Sequence, residues 1–408
     1  VQNLSIIGLQ WGDEGKGKIV DYFADEFDGV SRYNGGSNAG HTIVIGNRTY
    51  VFHLLPSGLL KGKRLFIGPG VVLDPIILKE ELELAKKEGI KFDLLVDGRC
   101  TLVTPLEREM DAILETLRGD KALGTTKRGI GPAYAMRALR VIPRVMDLIS
   151  GNYNLTFAKK FYSLFKKDLP DLGDWITESE EVLHDRVGDV SKSILEMNES
   201  QKWVIFEGAQ GVLLDLIYGT YPYVTGAHTL ANYIPASLGL PAKSVGIVMG
   251  VVKAYTTRVG NGPFPTELHG GLAEAIRTSG KEYGATTRRP RRIGWLDLVA
   301  LKYSIKINGV EEIALTKLDI LTKIKEMKVC TSYLLNGEEM TDFSTALPKI
   351  GEASPVYSEF PSFWGVELTS SKLPRVVDSF LEYLENELKV TIKLVSIGED
   401  REETVERT

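Results

Sequence analysis

Short apolar runs recur along the chain at residues 4–9, 65–67, 94–96, 204–206, 245–252, 313–315 and 391–395. Each is β-branched or bounded by glycine and has the length of a strand. Helical periodicity fills several intervals, most clearly at residues 76–87 and 376–388. Alternating strands and helices predict an α/β fold, a central mostly parallel β-sheet flanked by helices. Apolar stretches at 42–45 and 49–54 flank Gly46-Asn47, which predicts a hairpin. Residues 151–200 are charged, helical and poor in special glycines, and predict a helical excursion from the sheet. No repeat at a period of 20–50 residues and no Pro- or Ser-rich linker divides the chain, so residues 1–408 are expected to form a single large domain.

Composition narrows the function classes. A chain of 408 residues can bury a large core without disulfide staples. Hydrophobic residues at 43% and charged residues at 25% exclude a disordered chain or a coiled coil. Acidic residues outnumber basic ones by 54 to 49, which argues against nucleic acid as a partner. The two cysteines, Cys100 and Cys330, have no metal-ligand spacing and fit a reducing compartment. The longest apolar runs are about half of what a bilayer requires, and residues 1–18 lack signal-peptide order. The expected location is therefore cytoplasmic, with no membrane partner.

Residues 12–18 read Gly12-Asp13-Glu14-Gly15-Lys16-Gly17-Lys18, after a strand and before a helix. From Gly12 to Gly17-Lys18 this is the G-x-x-x-x-G-K spacing of a phosphate loop, and it stands in the strand–loop–helix context that such a loop requires. Backbone N–H groups there can turn inward around an anion, and the helix N-terminus adds positive potential. Lys16 and Lys18 are expected to supply mobile positive charge. Ile19 follows Lys18 where a phosphate loop usually offers a Mg²⁺-binding hydroxyl, so Asp13 becomes the candidate metal ligand.

A second glycine-dense loop runs from Asn34 to Thr42 and carries His41. An aspartate and a histidine in separate loops can form an acid–base pair. His53, inside an apolar strand, reads as a packing residue. Arg288, Arg289, Arg291 and Arg292 surround Pro290 and suit a small polyanion held in a pocket. Thr316-Lys317-Leu318-Asp319 follows a strand and is similar to the guanine-recognition element of GTP-binding proteins, although Asp319 could equally cap a helix. A GTP-dependent enzyme and a GTPase switch both remain compatible with the phosphate loop and this tetrad. The switch leaves the His41 loop and the arginine cluster without a role.

Together these motifs resemble the adenylosuccinate synthetase family. The resemblance rests on QWGDEGKGK at 10–18, GGSNAGHT at 35–42, GTTKRGIGPAY at 124–134, FEGAQG at 206–211, GTYPYVT at 219–225, GPFPTE at 262–267, GWLD at 294–297 and TKLD at 316–319. It implies ligation of IMP and L-aspartate with GTP and Mg²⁺, one ion per subunit, through phosphorylation of the purine 6-oxygen. By resemblance, Asp13 is the base, His41 the acid, and Lys16 and Gln210 complete the catalytic set. GTP would be held by Gly12, Asp13, Glu14, Gly15, Lys16, Gly17, Lys18, Gly40, His41, Thr42, Arg291, Lys317, Leu318, Asp319, Ser396, Ile397 and Gly398. IMP would meet Asp13, Asn38, Ala39, Gly40, His41, Thr126, Gln210, Thr225 and Arg289, with Arg140 reaching across a homodimer from the partner subunit. Aspartate would meet Val259, Ala285, Thr286, Thr287, Arg289 and Arg291. Asp13 and Gly40 would ligate the metal.

Overall fold

The computed structural model describes residues 2–45, 48–284, 288–370 and 372–407. Its centre is a ten-stranded sheet in the order Thr404–Glu406, Thr391–Ser396, Glu312–Thr316, Ile247–Lys253, Leu4–Gly8, Val204–Gly211, Gly29–Arg32, Arg64–Ile67, Asp93–Asp97 and Val187–Gly188. All neighbours are parallel except the antiparallel edge strand Thr404–Glu406. The expected mostly parallel α/β sheet is what the chain forms.

Both faces of the sheet are covered. Along Leu4–Gly8, Ile6 joins one apolar cluster and Ile7 the other, and both are fully buried. Val204 and Phe206 likewise enter one cluster while Ile205 enters the opposite one. This is the period-two alternation of a strand between two apolar layers, and it explains why the sequence there is apolar at successive positions. Each such side chain contributes about 1.5–3 kcal/mol by burial.

The strands coincide closely with the apolar runs, with one shift. Residues 242–245 form a 3₁₀ turn, and the strand begins only at Ile247. Residues 151–200 hold helices Leu155–Tyr162, Gly173–Leu183 and Val190–Glu199, as expected. They also return to the sheet as its edge strand, Val187–Gly188, which the charge-rich sequence does not suggest. The hairpin pairs His41–Ile45 with Arg48–Phe52, and its expected Gly46-Asn47 turn lies outside the described residues.

Parallel strands end on a common edge. The loops after Leu4–Gly8, Gly29–Arg32, Val204–Gly211, Ile247–Lys253, Glu312–Thr316 and Thr391–Ser396 all emerge there, with the chain order reversing around Leu4–Gly8. That is where an open α/β sheet opens a ligand crevice. The glycine-dense and TKLD motifs lie in these loops, and the arginine cluster follows helix Gly270–Gly280 and enters strand Arg292–Gly294 of a small separate sheet.

Candidate active site

The loop after Leu4–Gly8 is shaped by positive φ angles at Gly12 (85°), Asp13 (58°) and Gly15 (93°). Glycine accepts this backbone freely, whereas Asp13 tolerates it as one of the few side chains that can. The Glu14 carboxylate turns into the loop and accepts hydrogen bonds from the Gln10 and Gly12 amides at 3.1 and 2.9 Å. Its other oxygen pairs with Lys16 Nζ at 2.6 Å. Lys16 and Lys18 are both buried, which corrects the expectation of mobile charges. Lys18 donates to Ser396 Oγ at 2.7 Å and to the Gly398 and Glu403 carbonyls at 2.9 and 3.0 Å. Burial pushes its pKa down to about 8, against the pull of Glu403 and Asp319. It ties the start of the first helix to the C-terminal loop, where three oxygens take its three protons.

Asp13 is held at the loop mouth. Its carboxylate lies 3.1 Å from Arg291 Nε and its side chain is 28% exposed, so solvent and a ligand can both reach it. Around it the other loops close in. A Cβ on Gly12 would stand 3.6 Å from the Gln210 Cα, and one on Gly17 would stand 3.5 Å from the His41 Cβ. The Thr316 hydroxyl donates to the Glu14 carbonyl at 2.5 Å. Gln210 is itself in the left-handed region, with φ 60°, and its Oε1 is buried without a partner. Strain combined with an orphaned acceptor marks a position kept for something other than packing.

His41 is buried against Glu207. The imidazole Nδ1 pairs with Glu207 Oε1 and lies 3.3 Å from Ser57 Oγ. Ser57 donates to the same carboxylate from its amide at 2.8 Å and its hydroxyl at 2.5 Å. Burial pushes the His41 pKa down, and Glu207 offsets this only in part. Burial also opposes the Glu207 charge, but His41 and Arg32 together hold its pKa down at about 2. The carboxylate therefore fixes the proton on Nδ1 and turns Nε2 outward from the pair. Glu81 steadies the return of the hairpin, accepting from the backbone amides of His53, Leu54 and Leu55. His53 Nδ1 contacts the Ala39 carbonyl at 2.6 Å, so it supports the loop instead of merely filling the core.

On the far side, helix Pro105–Arg118 carries Asp111 and Glu115 on one face. Glu115 accepts from the amides of Leu123, Gly124 and Thr125, and Asp111 accepts from Thr125 Oγ1 and the Gly129 amide. These bonds set the loop bearing Thr126 against the 259–261 loop, where a Cβ on Gly124 would stand 3.0 Å from Gly260. Val259, Arg289 and Arg292 line a cavity of about 510 Å³ between them. Ala285, Thr286 and Thr287 lie outside the described residues. Arg140 ends helix Ile130–Leu139, exposed and with φ 58°, and Thr225 is half-buried with its amide bonded to Leu214. Asn38, Ala39, Gly40 and Thr42 lie on the turn and strand leading past His41; Asn38 Oδ1 accepts from the Gly36 amide.

At the sheet's other side, Leu318 opens a short helix, Leu318–Leu321, capped by Lys317 and not by Asp319. Asp319 Oδ1 is buried without a partner, and burial raises its pKa against the pull of Lys317. The capping explanation for this aspartate therefore fails. Ser396, Ile397 and Gly398 lie in the adjoining loop, joined through Lys18 to the start of the first helix. The site also contains groups that the motifs leave unassigned: Glu207, Ser57, Arg32, Glu282 and Lys253. Glu207 has a signal, a lone carboxylate following a buried apolar run, and the others have none.

A family model described as adenylosuccinate synthetase matches residues 5–405. Adenylosuccinate synthetase of Carboxydothermus hydrogenoformans is 42% identical over 417 residues, covering 98% of this chain and 97% of the relative. That of Borrelia duttonii is 38% identical over 418 residues, covering 99% and 97%. The solved structure of a fully ligated adenylosuccinate synthetase from Plasmodium falciparum superposes with a TM-score of 0.90 at 35% identity, covering all of both chains. A succinoaminodeoxyadenylate synthetase of cyanophage S-2L, at 21% identity and a TM-score of 0.66, covers all of this chain and 95% of its own, and shares the fold. Nothing in these comparisons supports a GTPase switch. Family members are dimeric ligases that join IMP to aspartate using GTP and Mg²⁺. By sequence over nearly its whole length and by fold, this chain belongs to the adenylosuccinate synthetase family.

Proposed function

We propose that this chain performs the family's ligation with Asp13 as the base and His41 as the group facing the transferring phosphoryl. The observation that carries the reading is the Asp13 carboxylate, fixed at the mouth of an anion-binding loop by a left-handed backbone and by Arg291. Asp13 takes the N1 proton of IMP, and the purine 6-oxygen becomes anionic and nucleophilic. That oxygen attacks the γ-phosphorus of GTP, and GDP leaves. The aspartate amine then attacks C6, and phosphate leaves as adenylosuccinate forms. The protein's task is mainly alignment and charge neutralisation.

His41 is set up for the second of these. Glu207 accepts a hydrogen bond from the His41 Nδ1–H, so Nε2 faces outward, and a phosphoryl group arriving there would draw a proton onto the ring. Gln210, with its unpartnered Oε1, offers an acceptor to the purine. Lys16 reaches phosphate by leaving Glu14. The orphaned Asp319 carboxylate suits the N1–H and amino group of guanine, with Lys317, Leu318 and the 396–398 loop around the base. Asn38, Thr126, Thr225 and Arg289 form the IMP side, and the cavity beside Val259 and Arg289 suits aspartate.

The residues present fit Mg²⁺. That cation commonly takes one or two protein oxygens and completes its shell with phosphate and water. The partly exposed Asp13 carboxylate and the Gly40 carbonyl would hold it, and when bound it neutralises charge on the transferring phosphate. Arg140, exposed next to the 56%-exposed Leu139, fits a residue donated to a partner's IMP site. Cys100 and Cys330, both buried and unpaired, support a cytoplasmic location. No described helix is long and apolar enough to cross a membrane.

The test is the ultraviolet absorbance change of adenylosuccinate formation with IMP, aspartate, GTP and Mg²⁺, omitting one component at a time. Product that requires all of them supports the reading. Rapid GTP hydrolysis that is indifferent to IMP and aspartate overturns it.

A further inference from the structure

Behind Asp13 lies a buried chain of alternating charge that the ligation chemistry does not use. Lys253 is the last residue of strand Ile247–Lys253 and Glu282 follows helix Gly270–Gly280; their side chains are 1% and 0% exposed. One Glu282 oxygen accepts from Lys253 Nζ at 2.9 Å and from the Tyr255 hydroxyl. The other accepts from Arg291 Nη1 at 2.5 Å. Lys253 also donates to Thr257 Oγ1 at 2.8 Å, and the Arg291 amide donates to the Glu282 carbonyl at 2.9 Å. Arg291 then reaches Asp13. The Nε atom is 3.1 Å from Asp13 Oδ2, yet it is buried with no aligned hydrogen bond.

We propose that Glu282 is the positioning residue that holds Arg291 by one edge of its guanidinium, leaving the Nε edge for an anionic substrate group beside Asp13. This rests on the reading of Arg291 as a ligand of aspartate or GTP. The geometry gives each member of the chain a part. Two cations, Lys253 and Arg291, would repel each other in the interior, and the Glu282 carboxylate between them removes that repulsion. Lys253, tethered by Thr257, keeps the carboxylate from following Arg291 toward the crevice. A purely structural ion pair could be replaced by apolar packing without loss, but Arg291 Nε, paired with Asp13 at 3.1 Å without an aligned hydrogen bond, keeps a donor that an incoming anion can take. The planar fork makes such one-edged holding possible, since an arginine can be clamped through Nη1 while Nε stays oriented.

The charge state agrees with this. Burial opposes the Glu282 charge, but Lys253, Arg291 and Lys317 together hold its pKa down at about 2. Burial brings Lys253 down to about 8 despite Glu282. Both are ionised near neutral pH.

The experiment is steady-state kinetics with IMP, aspartate and GTP each varied, for the wild type, Glu282→Gln, Arg291→Gln and the double variant. Arg291→Gln identifies which KM this arginine governs. Glu282→Gln is expected to raise that same KM about tenfold to a hundredfold, the loss of one hydrogen bond to a charged group, and to leave the KM for IMP within about twofold. In the Arg291→Gln background it should add less than about twofold, because its effect passes through Arg291. Glu282→Asp, which keeps the charge, should recover part of the loss. A wild-type KM in Glu282→Gln overturns the proposal. So does an equal rise in all three KM values, or a Glu282 effect that persists in full without Arg291. If Glu282→Gln fails to fold with Lys253 left unpaired, Lys253→Met/Glu282→Gln removes both charges and must raise the same KM. Failure of the wild type to make adenylosuccinate would count against the proposed function; normal wild-type turnover with unaffected variants would count against Glu282 alone.

Discussion

Replacing Glu207 by glutamine separates the orientation of His41 from the mere presence of its ring. The carboxylate accepts three hydrogen bonds, from His41 Nδ1 and from the Ser57 amide and hydroxyl. A carboxamide of the same shape has one acceptor oxygen, and its NH₂ must face a donor. At least one bond to a charged acceptor is lost, about 1.5–3 kcal/mol, and a second mismatch brings the total toward about 3–5 kcal/mol, the penalty for breaking a buried pair. Arg32, fully buried nearby, also loses a neutralising charge. This is a substantial part of a typical stability of about 5–15 kcal/mol. General acid–base assistance contributes about 10²–10⁴ in rate, so adenylosuccinate formation should fall about a hundredfold or more. Thermal unfolding and initial rates at saturating substrates measure the two effects, with Ser57→Ala as a control that loses one hydroxyl bond. A Glu207→Gln variant that melts lower but turns over within about threefold of the wild type would refute the idea that the carboxylate orients His41.

Asp13→Asn keeps a side chain that tolerates positive φ but cannot accept the N1 proton; product formation should vanish while the melting temperature stays within a few degrees, and substantial turnover would remove Asp13 as base. Asp319→Asn should lower kcat/KM for GTP about a hundredfold, through lost hydrogen bonds from guanine to a charged acceptor, with a smaller loss for ITP, which lacks the amino group; equal losses would contradict the guanine assignment. Glu207 and Glu282 have folded pKa values near 2 against about 4.5 when unfolded. The unfolded chain therefore binds more protons between those values, and stability present above about pH 4.5 is lost as pH falls through about 2. Melting temperatures measured from neutral pH down to about pH 3 should drop most steeply at the acid end, and less so in Glu207→Gln.

What residue order reveals is local. Ile6, Ile7 and the other apolar runs announce strands because burial on both faces demands them, and the strand–loop–helix around residues 4–23 announces an anion site. What it hides depends on distant partners. Lys18 has the sequence context of a phosphate ligand because it follows a glycine in a phosphate-loop spacing, yet its three acceptors come from residues 378 to 385 positions away. Glu282 and Lys253 lie on separate elements, and nothing in either neighbourhood signals that the fold will set them against Arg291. The edge strand Val187–Gly188 stays hidden because two residues at a sheet margin need no apolar run.

The clasp between Lys18 and the loop at 396–403 also has a temporal side. During synthesis the strands Gly29–Arg32, Arg64–Ile67 and Asp93–Asp97 can pair with one another early, but Leu4–Gly8 waits for Val204–Gly211 and Ile247–Lys253, and Lys18 waits longer still for the loop at 396–403. A nascent chain therefore carries a buried-to-be ammonium group in water while 378 further residues are added. The first helix should therefore lock into place only after strand Thr391–Ser396 has docked on the sheet.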